Sequence, residues 1–144
     1  MSRQDPFDLQ RFVEAQDPVF DQVLGELRAG SKRSHWMWFV FPQVQGLGHS
    51  AMARRYAVSG VAEAQAYLRH DVLGPRLRES VEALLAHPDK SALQMLGHPD
   101  DLKLRSSLTL FAAIEPAGSV FHQALEQFFD GRPDDKTLRQ TRLA

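Results

Sequence analysis

Cysteine is absent from the 144 residues. Its absence excludes disulfide cross-links, thiolate catalysis and cysteine-ligated zinc together. Long apolar runs are missing too. None approaches the roughly 18 residues that mark a membrane span, so no membrane association is expected. Neither sign of charge dominates: 17 Lys and Arg face 18 Asp and Glu, and the two signs are interleaved. No basic stripe of the kind that neutralises a phosphate backbone is present, so nucleic acid is not an expected partner. There is no internal repeat and no low-complexity linker. No His-Glu-x-x-His pattern occurs, and the glycines match neither the dinucleotide fingerprint nor the phosphate loop. Neither a metal nor a cofactor is therefore expected. The opening Met-Ser-Arg-Gln-Asp-Pro lacks an apolar h-region, and a cytoplasmic location is the expectation.

What is present describes an ordinary globular chain. Apolar residues make up 43% and charged residues 24%. A chain of this length buries roughly 68% of the surface its unfolded form exposes, enough for one domain over residues 1–144. Helix signals recur at short intervals. Asp8 is placed to cap a helix carrying Leu9, Phe12 and Val13. Asp17 and Pro18 open one carrying Val19, Phe20, Val23, Leu24 and Leu27, which Gly30 closes. Ser50, Ser59-Gly60, Asp71, Ser91 and Pro99-Asp100-Asp101 open five more, the last reaching about Ile114. Ser119 opens another, and residues 130–144 are read as a tail with a frayed terminal helix. The segment His35 to Phe41 is rich in strand formers, but no partner strand is evident. It is therefore read as a short buried helix capped by Ser34. The fold class is all-α: a compact irregular bundle of about eight or nine short helices in a single domain.

The most informative stretch runs from Gly30 to Ser50. It holds both tryptophans of the chain, bracketed by Lys32 and His35 on one side and Gly46-Leu47-Gly48 on the other. Apolar bulk beside ionisable groups and a pliable backbone is how pockets are built. Gly46 and Gly48 permit close backbone approach, and Ser50 begins a helix whose free N–H groups favour anions. Lys32 supplies a cation, Gln43 an amide able to read a polar ligand, and His35 a candidate general acid or base. On a helix Trp36 and Trp38 point about 200° apart. They cannot both face the core, and Trp36 is the candidate ligand contact. Further along, Lys103 and Ser107 share one helical row at the edge of apolar surface, where they suit an anion together. Asp100 and Asp101 read as helix-start carboxylates.

These blocks carry a resemblance. Asp5-Pro6-Phe7-Asp8-Leu9-x-Arg11-Phe12, Lys32-x-x-His35-Trp36-Met37-Trp38-Phe39-Val40-Phe41-Pro42-Gln43, Gly46-Leu47-Gly48-x-Ser50 and Asp101-Leu102-Lys103-Leu104-x-Ser106-Ser107-x-Thr109-Leu110-Phe111 form the match. Together they resemble a small bacterial family of unknown function, all-helical and single-domain. Its members are often auto-labelled "calpastatin", a label without support. The resemblance implies the fold and points to the same motif positions, but supplies no mechanism.

The functional expectation is a soluble helical domain with a pocket near residues 34–43 that binds a small anionic or nucleotide-like ligand. Hydrolysis of that ligand, with His35 as the proton-transfer group, is the weaker form. The alternative is a protein-interaction module without catalysis, its helices presenting a groove to a protein partner. The sequence leaves enzyme status and oligomeric state undecided.

Overall fold

The computed structural model describes residues 5–142. Ten helices form among them: α1 (Gln10–Gln16), α2 (Phe20–Ala29), α3 (Met37–Val40), α4 (Ala51–Arg55), α5 (Val61–Arg69), α6 (Leu73–Leu85), α7 (Ala92–Leu96), α8 (Asp100–Ala112), α9 (Val120–Phe129) and α10 (Asp135–Thr141). The tenth is the terminal segment. No strand forms among the described residues beyond one isolated parallel bridge, Val44 to Val58. Among the described residues no helix is long and apolar enough to cross a membrane.

Helix α8 is the centre. Leu104, Leu108, Leu110 and Phe111 are buried, and so are Ser106, Ser107, Thr109 and Ala112, so buried surface nearly encircles it. It packs against α5, α7, α9 and α10. A line of aromatic contacts crosses the interior from Phe12 to Tyr67 (5.1 Å), Tyr67 to Phe111 (5.5 Å) and Phe111 to Phe121 (5.6 Å). It joins α1, α5, α8 and α9 in one core, and such pairs add about 0.5–1.5 kcal/mol each beyond burial.

The caps divide into two groups. Ser50, Ser91 and Ser119 accept from the N–H groups of Ala53, Gln94 and His122, and Gly30 ends α2 in the left-handed region at φ 68°. Four other expected caps are replaced. Asp5, not Asp8, accepts from Leu9 N and Gln10 N. Asp17 pairs instead with Arg76 at 2.8 Å, and α2 starts without a side-chain cap. His70, not Asp71, caps α6: its Nδ1 accepts from Val72 N (3.1 Å) and Leu73 N (3.2 Å). Ser34 donates its hydroxyl to Glu26 at 2.7 Å, so α3 begins later than expected, after Trp36.

The last helix is gripped by α8. Arg105 donates from Nε to Arg132 O and from Nη2 to Pro133 O, both at 2.9 Å. Thr109 Oγ1 accepts from Asp134 N at 2.8 Å. Asp134 caps α10 through Thr137 N, and Thr137 is fully buried.

Candidate functional site

The aromatic segment is positioned by one carboxylate. Glu26 lies on the inner face of α2 with 8% of its surface exposed. Its Oε1 accepts from Arg33 N (2.7 Å), Ser34 N (3.1 Å) and Trp36 Nε1 (2.9 Å). Its Oε2 accepts from Ser34 Oγ (2.7 Å) and Gln22 Nε2 (3.1 Å). Burial works to raise the pKa of this carboxyl. The backbone N–H of Arg33, then Ser34, Trp36 and Gln22, outweigh it and bring the pKa from 4.5 down to about 2. Glu26 thus stays charged and clamps residues 33–36 onto α2.

With the segment fixed, the two indoles take different roles. Trp36 is 1% exposed, and Lys32 Nζ lies 5.2 Å from its ring centroid. Trp38 is half-buried, and Lys103 Nζ lies 5.5 Å from its ring centroid. Asp100, in the first turn of α8, joins the two lysines: its Oδ2 is 3.0 Å from Lys32 Nζ and its Oδ1 is 3.6 Å from Lys103 Nζ. Two ammonium groups therefore share one carboxylate. Lys32 is the more enclosed, at 9% side-chain exposure against 25% for Lys103.

Lys103 borders a cleft of about 460 Å³ whose walls come from the loop after Pro42, the start of α8 and the start of α10. Gln43, Leu47 and Gly48 form one side, Pro99, Leu102, Lys103, Arg105 and Ser106 the second, and Asp134, Asp135 and Lys136 the third. The loop is held by Val58, which donates to Gln43 O and accepts from Gln45 N, both at 2.8 Å.

Of the residues expected to form the site, Gln43, Gly48 and Lys103 meet at this cleft. Lys32 reaches it only indirectly, through Asp100. Trp36 is buried against Glu26 and offers no surface to a ligand, so Trp38 is the indole nearer the cleft. His35 is exposed and not on the cleft wall, with no hydrogen-bond partner for its ring among the described residues. Ser50 is occupied in capping α4. Gly46 lies on an adjoining hollow. Ser107 is 1% exposed, and its hydroxyl has no hydrogen-bond partner among the described residues.

The two glycines answer to the protein's own packing. Gly46 sits at φ 95°, and a Cβ there would strike Gln140 of α10. A Cβ at Gly48 would lie 2.6 Å from Ala53 Cβ. Close backbone packing, rather than room for a ligand, accounts for both.

Of the two organising residues, Glu26 escapes the sequence reading, while Asp100 is read there as a helix-start carboxylate able to neutralise Lys103, without its link to Lys32. Glu26 left a signal: a carboxylate beside Val23, Leu24 and Leu27 on an apolar helical stripe. Asp100 stands three residues before Lys103, a pairing distance on a helix, but its second partner lies 68 positions upstream and leaves no local trace.

The family described as "Protein of unknown function (DUF1810)" matches residues 6–141. The chain belongs to this family. The motifs of the aromatic and α8 blocks pointed to such a family of unknown function, and the DUF1810 match covers them all. The crystal structure of the conserved hypothetical protein Rv1873 from Mycobacterium tuberculosis is similar. It shares 50% sequence identity at a TM-score of 0.93, over 96% of this chain and 99% of that one. The helical architecture is thus shared by two chains that are 50% identical. No curated protein matches the chain.

Proposed function

We propose that the cleft between the Gln43–Gly48 loop, α8 and α10 binds a small anionic molecule, with Lys103 as the principal contact. One observation supports this reading above the others: Lys103 and Lys32 divide a single carboxylate, and the more exposed Lys103 stands at the cleft. The pair leaves one positive charge unmatched at the edge of a concave surface, beside the Gln43 side chain. Pockets of several hundred Å³ with few convergent polar groups are the usual form of small-ligand sites.

The proposal is binding rather than catalysis. Ser106, the hydroxyl on the cleft wall, already shares its one proton between Leu102 O and Asp134 Oδ2, both at 3.2 Å. His35, the expected proton-transfer group, is not on that wall.

A thermal-shift panel of inorganic phosphate, sugar phosphates and nucleoside monophosphates tests the reading. A ligand present at 100 times its Kd stabilises by about 2.7 kcal/mol. For a chain of this size that raises Tm by about 5–10 °C. Lys103→Gln should retain a cooperative melt and lose the shift. If no anion in the panel raises Tm, or Lys103→Gln keeps the full shift, the reading falls.

A further inference from the structure

We infer that the anion taken by the Lys103 cleft carries a small apolar body joined directly to its charged group, as in an aryl phosphate. The inference rests on the anion-binding reading above and names the class of its ligand.

The observation behind it is a leucine without cover. Helix α8 is enclosed along most of its length: Leu104 and every residue from Ser106 to Ala112 are buried. Leu102, in its first turn, is 50% exposed and stands on the wall of the Lys103 cleft. One exposed leucine alone needs no explanation. Leu102 has company. Pro99 lies three residues before it on the same wall, and Leu47 faces the cleft from the Gln43–Gly48 loop. None of the three is buried. Two segments far apart in the chain thus bring apolar side chains to one concave surface.

Helical geometry puts this apolar surface beside the charge. Residues three and four apart share a helix face, with Cβ atoms about 5–6 Å from one another. Pro99, Leu102, Lys103 and Ser106 have that spacing, and all four line the cleft. Lys103 Nζ reaches back to within 3.6 Å of Asp100 Oδ1, toward the Pro99 end of this stripe. An anion at the ammonium group brings the atoms bonded to it within reach of Pro99 and Leu102. No spacer is needed between charge and apolar body.

Polar groups on the same wall are already engaged. Ser106 shares its proton between Leu102 O and Asp134 Oδ2. Arg105 donates from Nε to Arg132 O and from Nη2 to Pro133 O. A polyol resting there would give up its hydrogen bonds to water and find few free partners in return, which costs binding free energy. An apolar body gives up none and covers Leu102. The third wall carries Asp134 and Asp135, which disfavour a second anionic group at the far end of the ligand.

Isothermal titration calorimetry tests the inference with three probes: inorganic phosphate, phenyl phosphate and glycerol 3-phosphate. Phenyl phosphate should bind about tenfold more tightly than inorganic phosphate, the gain from burying roughly 55 Å² of apolar surface at about 25 cal/mol per Å². Glycerol 3-phosphate, with a polar body, should gain no such advantage. Leu102→Asn keeps the bulk of the side chain and removes its apolar character. It should abolish the preference for phenyl phosphate and leave affinity for inorganic phosphate unchanged, whereas Leu102→Met should keep the preference. Lys103→Gln should weaken all three probes. Half of Leu102 is exposed, so both of its variants should retain a cooperative melt. Three results would each overturn the apolar-body inference and leave the anion-binding reading standing: equal affinities for phenyl phosphate and inorganic phosphate, a matching gain by glycerol 3-phosphate, or a Leu102→Asn variant that keeps the preference. Failure of all three probes to bind overturns both.

Discussion

Replacing Glu26 by glutamine keeps the outline of the side chain and removes its charge. The folded chain holds this carboxyl at a pKa of about 2, against 4.5 for an ordinary glutamate. That difference corresponds to about 3 kcal/mol favouring the ionised form in the folded state. A depressed folded value contributes stability that is complete above the unfolded pKa near 4.5 and is lost as pH falls toward 2. Glutamine also places an NH2 where Ser34 Oγ and Gln22 Nε2 now donate, so those groups must turn. The variant should therefore be less stable by about 2–3 kcal/mol at neutral pH, in line with loss of charge-assisted hydrogen bonds. Urea denaturation of both chains, repeated from about pH 7 down to about pH 2.5, measures the gap. It should be constant down to about pH 5, shrink below that, and nearly close at the acid end. A gap that stays the same across the whole range would refute the argument, because the carboxylate would then not be the source. Wild-type and variant equally stable at pH 7 would refute it more simply.

Two further substitutions probe other parts of the reasoning. His70→Ala should cost about 1 kcal/mol by uncapping α6, and His70→Asn should recover most of it, since asparagine is among the best N-caps; chemical denaturation of the pair decides whether the imidazole is a cap. Ser107→Ala removes a buried hydroxyl that has no hydrogen-bond partner among the described residues and should leave stability unchanged or raise it by up to about 1 kcal/mol, as read by calorimetry. A loss of more than that amount would mean that the hydroxyl is satisfied in solution.

The helical class was legible because apolar residues recur at helical spacing in α2, α6 and α9, and because Ser50, Ser91 and Ser119 cap where nothing competes for their hydroxyls. The caps that failed did so for tertiary reasons. Asp17 is drawn to Arg76, 59 positions away, and Ser34 is drawn to Glu26 on another helix. Local rules see neither partner. At the site, Gln43 was readable from its place just after the aromatic run, and Lys103 from its helical row at the edge of apolar surface. The assignment of Trp36 rather than Trp38 was not, because the orientation of the run is set by Glu26, ten residues upstream of Trp36. The third wall of the cleft was hidden too. Nothing local to residues 134–136 announces that Arg105, Ser106 and Thr109 will draw them against α8.

That grip has a practical consequence. The aromatic line from Phe12 to Phe121 ends before residue 130, so a chain trimmed after Asp130 would retain that line while uncovering the face of α8 that α10 packs on. Its recognition surface would not survive: without Asp134 to Lys136 the hollow beside Lys103 becomes an open shelf. A shortened version that melts cooperatively yet ignores every anion offered to it would be reporting missing masonry, not an inert protein.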